Sequence, residues 1–148
     1  ALDRIGDTPG ESGAPDWAYW IDDAQANAQA GYCYLTLRDW PKARVHLRNA
    51  LAAQADACSR EGALRQILLA TTFARQSSPE LERATALGHQ ALETLRTDVR
   101  PARCEQHLGA LAGQLRSYSR NPAAREFVAQ VDQVLRRSRR GSRPPRNQ

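Results

Sequence analysis

Apolar side chains recur at steps of three and four residues along most of this 148-residue sequence. In the first such segment Trp20, Ala24, Gly31 and Tyr34 keep to this spacing, which is the period of one face of a helix. No segment alternates apolar and polar residues with the two-residue period of a strand. The spacing therefore predicts an all-α fold.

Short breaks divide the pattern into about six helices, which we expect to pair as three antiparallel hairpins. Four of these breaks, RDWP, QSSPE, RTDVRP and SRNP, contain proline or capping residues, and such residues typically end one helix and begin the next. Residues 1–15 are rich in glycine and proline and are predicted to form a linker. The helical domain is predicted over residues 16–136.

The basic charge of the chain lies at its end. The formal net charge is +5, yet the last 13 residues hold six arginines and no acid, and the remaining residues hold 15 basic and 16 acidic side chains. Residues 137–148 are predicted to be a disordered basic tail that aids solubility. Weak binding of nucleic acid by this tail is an alternative, because clustered arginines neutralise phosphates.

Several features bear on where the protein works. Cys33, Cys58 and Cys104 are an odd number of widely spaced cysteines, which favours a reducing, cytoplasmic location. No apolar run is long enough to cross a membrane, and we expect no membrane partner. The sequence lacks methionine even at its first position, so we expect a processed protein or a fragment of a longer one.

Residues 27–50 show a second, finer pattern of small and large side chains across a turn. Gly31 and Ala43 are small enough to let two helices approach, and Tyr34 and Leu47 can fill the space beside them. Together with Asn27, Ala30 and Ala50, these four residues stand at the characteristic offsets of one tetratricopeptide repeat, which the segment therefore resembles. Asn27 replaces a large residue of that repeat, and its late proline is absent. The resemblance implies an α-solenoid of antiparallel helical hairpins.

The later hairpins follow this pattern less closely. Leu69, Ala70, Phe73, Ala84 and Ala91 match a second repeat, but their connecting loop is longer. The third hairpin has weak repeat character, as terminal repeats commonly do. A helical bundle without repeats remains an alternative architecture.

A second resemblance covers residues 16–135. The segments WAYWIDDAQANAQAGYCYLTL and RSYSRNPAAREFVAQVDQVL are similar to the C-terminal tetratricopeptide region of actinobacterial helix-turn-helix regulators of the XRE type. In that family a DNA-binding domain precedes this region. The resemblance implies a regulatory domain whose contact with DNA is made by a domain absent from this chain.

The repeat alignment also implies a concave groove lined by the first helix of each hairpin, a kind of surface that commonly receives peptides or partner proteins. A groove that buries another part of the same polypeptide is the alternative. The residues expected to line it are Asp22, Gln25, Ala28, Gln29, Tyr32, Thr36, Leu64, Ile67, Thr71 and Ala74. Core packing is the first expectation for Trp17 and Trp20, and an interface is the alternative for Trp17, Tyr19 and Trp20.

No residue set indicates catalysis. Asp22 and Asp23 are adjacent, so they diverge on a helix and cannot act as an acid–base pair. Cys104 and His107 can share a helical face, but two ligands do not make a metal site. We find no nucleophile signature and no phosphate-binding glycine loop. We therefore expect no enzyme activity, no metal and no cofactor.

The functional prediction is a regulatory domain of a transcription factor that dimerises or binds a peptide or protein through its helical hairpins. Its expected partners are a protein or peptide and, as a further possibility, a second copy of the chain. The alternative is a free-standing scaffold or adaptor with no DNA-binding domain.

Overall fold

The computed structural model describes residues 16–53, 59–96 and 101–141, with side chains from Asp23 onward. These residues form helices and turns without strands, as predicted for an all-α protein. The helices in the described ranges are α1 (Asp16–Thr36), α2 (Trp40–Ala52), α3 (Arg60–Arg75), α4 (Leu81–Leu95), α5 (Ala102–Leu115) and α6 (Pro122–Gly141). The predicted linker, residues 1–15, lies outside the described residues.

The turn between α1 and α2 ends one helix and caps the next within three residues. Arg38 takes a left-handed conformation with φ of 61°. The amides of Arg38 and Asp39 donate to the carbonyls of Leu35 and Tyr34 at 3.0 and 2.9 Å, which closes the C-terminus of α1 as a Schellman motif. The carboxylate of Asp39 then accepts from the amide of Lys42 at 3.3 Å. The turn thus fixes an antiparallel α1–α2 hairpin.

Close contact between α1 and α2 depends on Gly31. A Cβ at this position would lie 2.7 Å from Cγ of Leu47, so no larger residue fits without displacing the leucine. Leu47 and Ala43 are fully buried. The small and large residues of the opening hairpin therefore pack as their spacing predicts.

The other helices are arranged around α3. α2 packs on α3, α3 packs on α5, α4 packs on α6, and α1 makes a smaller contact with α3. With the α3–α4 and α5–α6 hairpins, these contacts close a ring of four helices. The first hairpin is attached to the ring mainly through α2.

Phe127 of α6 joins two sides of this ring. The Phe127 side chain is fully buried. A Cβ added to Gly88 of α4 would lie 2.5 Å from the aromatic ring of Phe127. The aromatic ring of Phe127 also contacts the His89 ring edge to face, with 5.4 Å between the two centroids. Phe127 from the next hairpin therefore fills the space that a side chain at Gly88 would occupy.

Helix α6 is longer than expected. Asn121 caps it by accepting from the amide of Ala124 at 3.0 Å, and the helix continues to Gly141. Residues 137–141, predicted as the start of a disordered tail, are therefore helical. The reason is local, since arginine is a good helix former and this segment holds no proline. Residues 142–148 lie outside the described part of the chain.

Candidate binding cleft

A cleft of about 190 Å³ opens where α1, α3 and α5 meet. We call it the α1–α3–α5 cleft. Its residues are Gln25, Ala28, Gln29 and Tyr32 of α1, Glu61, Leu64, Arg65 and Leu68 of α3, and Arg103 of α5.

The cleft brings together part of the predicted groove. Gln25, Gln29 and Tyr32 from α1 lie beside Leu64 from α3. Their i, i+4 and i+7 spacing puts the three α1 residues on one face, and the hairpin geometry points that face toward the first half of α3. Residues from two hairpins thus contribute to one concave surface.

Ile67 and the part of α3 after Leu68 do not line the cleft. Ile67 is fully buried in the core, as is Ala74, so the assignment of both to the groove is wrong. α3 is covered by α2, α4 and α5, which leaves only a short part of its surface open. Thr71 is half-buried, and its hydroxyl donates to the carbonyl of Ile67 at 2.8 Å.

Two other predicted residues lie elsewhere. Thr36 is exposed at the end of α1, where its hydroxyl donates to the carbonyl of Tyr32 at 3.0 Å, and it is absent from the cleft wall. Asp22 belongs to the first turns of α1, as do the interface candidates Trp17, Tyr19 and Trp20. The side chains of these four residues fall outside the described part of the chain.

Two arginines of the cleft are absent from the residues predicted to line the groove. Only 6% of the Arg65 side chain is exposed, and its guanidinium lies 3.6 Å from the carboxylate of Glu61. Arg103 is exposed and lies over the Tyr32 ring at 5.5 Å from its centroid. The i, i+4 spacing of Glu61 and Arg65 is visible in the sequence, whereas the place of Arg103 follows from the packing of α5 on α3.

His107 of α5 packs against Tyr32, one of the cleft residues. Its ring meets the Tyr32 ring edge to face, with 6.0 Å between centroids. Burial lowers the pKa of His107, and the nearby positive charge of Arg103 lowers it further. The imidazole is therefore favoured in its neutral form, which allows it to pack against tyrosine beside a cation.

The lowered pKa of His107 predicts an acid-sensitive step in stability. The unfolded chain takes up a proton at this histidine near pH 6.5, its ordinary value, while the folded chain takes it up only at lower pH. The unfolded state then binds more protons, so the free energy of unfolding falls as the pH drops below about 6.5.

Urea unfolding between about pH 7 and 5 measures this effect, with His107→Gln as the comparison. The variant should lose less stability than the wild type over this interval. His46 and His89 are present in both proteins, so their contributions to the pH dependence of stability cancel in the comparison. Equal losses in the two proteins would contradict the assignment.

Cys104 packs in the core beside the cleft. Its thiol is buried and donates weakly to the carbonyl of Arg60 at 3.8 Å, and burial raises its pKa. A raised pKa disfavours the thiolate that metal binding or nucleophilic attack requires. Within the described residues, no group of three or more His, Cys, Asp or Glu side chains is placed to hold a metal ion.

A second concentration of arginine lies on the far side of α3. Arg44, Arg48 and Arg83 surround the Phe73 ring at 4.3, 5.8 and 5.6 Å from its centroid. Arg44 donates to the hydroxyl and the carbonyl of Thr72 at 3.0 and 3.2 Å and also to the Gln76 side chain. Its pKa is lowered, mainly by burial. Because Arg44 of α2 donates these hydrogen bonds to Thr72 and Gln76, we assign it a structural role in holding α2 against α3.

A wider depression of about 380 Å³ lies at the α3–α4 turn. It is formed by residues 79–83 and Asn121. Because one continuous stretch supplies most of its wall, it lacks the facing surfaces that enclose a ligand.

Comparison of the chain with protein-family models, with curated proteins and with solved structures finds no match. In the described ranges, no helix is both long and apolar enough to pass through a membrane.

Proposed function

We propose that this helical domain binds a peptide segment of a protein partner in the α1–α3–α5 cleft. The observation that carries the proposal is the convergence of α1, α3 and α5 on one cleft, in which an apolar floor lies beside the buried Arg65 and polar side chains form the rim. Leu64, Leu68 and Ala28 supply the apolar floor, and Gln25 and Gln29 supply amides at the rim. Glutamine amides can both donate to and accept from a peptide backbone.

The size of the cleft favours a peptide side chain over a small-molecule ligand. Pockets for such ligands typically measure about 300–1,000 Å³, whereas this cleft holds about 190 Å³. A volume of this order accommodates one apolar anchor side chain, which is how helical grooves receive their partners. The rest of a partner segment would lie across the rim.

We infer a tetratricopeptide-like architecture from the first hairpin. The α1–α2 hairpin, its close contact at Gly31 and the packing of α2 on α3 agree with that repeat. The ring formed by α3, α4, α5 and α6 agrees equally with a helical bundle, which remains the alternative. Either arrangement leaves the same cleft open.

The regulatory part of the proposal rests on the resemblance to helix-turn-helix regulators of the XRE type. A partner bound in the cleft would alter the arrangement of DNA-binding domains fused upstream of α1. The reading frame upstream of Ala1 tests this part: a helix-turn-helix sequence there supports a transcriptional regulator in the cytoplasm. Its absence would favour a free-standing adaptor.

The cleft itself is tested with peptides selected against the folded chain from a random peptide library. Leu64→Glu should weaken their binding at least about tenfold, because it puts a charge on the apolar floor. Val45→Glu is the matched control, since Val45 lies on α2 outside the cleft and is 56% exposed. Isothermal titration calorimetry measures both dissociation constants.

Two results would contradict the peptide-binding proposal. One is equal weakening by Leu64→Glu and Val45→Glu. The other is a stable dimer, by light scattering, that Leu64→Glu converts to a monomer, because a second copy of the chain would then fill the cleft.

A further inference from the structure

Helix α6 ends in four arginines that project beyond the core of the domain. Arg136, Arg137, Arg139 and Arg140 are all exposed. α6 has 20 residues and its hairpin partner α5 has 14, so the last turns of α6 extend past the helix against which it packs.

All four arginines lie on one face of α6. At 3.6 residues per turn their positions span an arc of about 160°. The opposite face carries Val131, which is buried, and Val134 and Leu135, which are half-buried. The core contacts of α6 therefore hold the arginine face outward. We call these four residues the α6 arginine face.

The charges of this face are not balanced within α6. Residues 133–148 contain no acid, and the carboxylate of Asp132, one turn earlier, is held by the Arg116 guanidinium at 3.1 and 3.0 Å. Arg136 donates to the Asp132 carbonyl at 3.2 Å and makes only the smaller electrostatic contribution to that carboxylate. Hydrogen bonding to Arg116 accordingly lowers the pKa of Asp132. On α4, Glu93 pairs with Arg96 at 3.2 Å.

The spacing of the four arginines opposes folding of this end of the helix. Arg136 with Arg139, Arg136 with Arg140, and Arg137 with Arg140 are like charges three or four residues apart, an arrangement that destabilises a helix. Arg139 and Arg140 lie in the last turn, where a cation interacts favourably with the helix dipole, whereas Arg136 and Arg137 lie before it. The repulsion is therefore offset only in part, and a local cost of this kind is expected at functional sites.

We infer that the α6 arginine face binds the phosphate backbone of double-stranded DNA without regard to sequence. A helix is about 10–12 Å across, which matches the roughly 12 Å width of the DNA major groove. Guanidinium groups bind phosphate by paired hydrogen bonds. Neutralising several phosphates at once releases counterions, which favours binding.

The same face is poorly suited to two other anionic partners. Single-stranded nucleic acid binds through aromatic side chains on which bases stack, and residues 128–148 contain no aromatic residue. An interfacial membrane helix needs a free apolar face, whereas the apolar face of α6 packs on the core, with Val131 fully buried.

This inference goes beyond the proposed peptide binding, because it concerns another surface. The α6 arginine face shares no residue with the α1–α3–α5 cleft. Failure of one proposal therefore leaves the other standing.

The test measures binding of the 148-residue chain to a random-sequence duplex of about 20 base pairs by fluorescence polarisation across a salt series. Arg136, Arg137, Arg139 and Arg140 are replaced together by glutamine. The slope of log K against log salt concentration should then become shallower by about 3.6, since each phosphate contact contributes about 0.9. The double variant Arg137→Gln/Arg140→Gln should make the slope shallower by about 1.8.

The matched control replaces four exposed arginines outside α6, so that the net charge changes equally: Arg48, Arg60, Arg75 and Arg120. This control should keep the wild-type slope within about one unit. Circular dichroism checks folding, and the α6 variants should unfold at the wild-type temperature or above it because repulsion has been removed.

Three results would overturn the inference. They are equal effects of the control and the α6 variants, no duplex binding by the wild type at low salt, and binding to phosphatidylcholine–phosphatidylserine vesicles without binding to duplex.

Discussion

Phe127→Ala should lower the free energy of unfolding by about 3–5 kcal/mol, the usual cost of removing a buried phenylalanine ring. The side chain is fully buried and fills the space between α4 and α6 that Gly88 leaves open. Since a small domain has a total stability of about 5–15 kcal/mol, the loss is a large share of it. Urea unfolding should show a lower midpoint with little change in the slope m.

A second substitution separates this packing explanation from a general loss of hydrophobicity. Gly88→Leu should destabilise the wild type, because a Cβ there already lies 2.5 Å from the Phe127 ring. In the Phe127→Ala background the same leucine should recover part of the lost stability by entering the vacated space. Additive effects of the two changes would show that the residues do not contact each other.

Gly31→Ala should destabilise the α1–α2 hairpin by about 1–3 kcal/mol, the typical cost of forcing extra volume into a packed interface. The new methyl group would lie 2.7 Å from Cγ of Leu47, and the Leu47 amide nitrogen lies 3.3 Å from the same point. Leu47 is fully buried, so it has little room to move away.

Gly113→Ala is the matched control for Gly31→Ala. Gly113 also lies in a helix, but nothing lies within 4 Å of a Cβ added there. Alanine should stabilise this position by about 0.5–1 kcal/mol, because glycine loses more backbone entropy in a helix. Opposite signs at the two positions are the expected result of parallel urea titrations. Stabilisation by Gly31→Ala would contradict the close approach of α1 and α2.

The helices and the opening hairpin could be predicted because their signals are local. The three- and four-residue spacing identifies the helical faces, and Asn121 followed by Pro122 marks the start of α6 at the position the structure shows. Gly31 and Leu47 could be paired in advance, because the turn between them is short and fixes which faces of α1 and α2 meet.

The cleft could be predicted only in part, because its position depends on contacts between distant segments. Gln25, Gln29 and Tyr32 follow from the face of α1. The prediction for Ile67 is wrong because helical periodicity identifies an apolar face without saying how many neighbouring helices cover it. Arg103 reaches the cleft through the packing of α5 on α3, and no local pattern reports that contact.

The end of α6 shows the opposite kind of error. The arginine-rich run from residue 137 is predicted to be disordered because of its charge, yet Arg137, Arg139 and Arg140 continue the helix. Arginine favours helix through its long unbranched side chain, and the apolar stripe ending at Val134 and Leu135 anchors the preceding turns on the core. Local propensity and anchoring together outweigh repulsion between the charges.

Peptide binding in the α1–α3–α5 cleft is tested most directly by amide chemical-shift mapping of the isotope-labelled chain with a library-selected peptide. The largest shifts should fall in residues 25–32 of α1 and 61–68 of α3 and at Arg103 of α5, the residues that form the cleft. Shifts confined to α2, to the α3–α4 turn or to α6 would contradict the account.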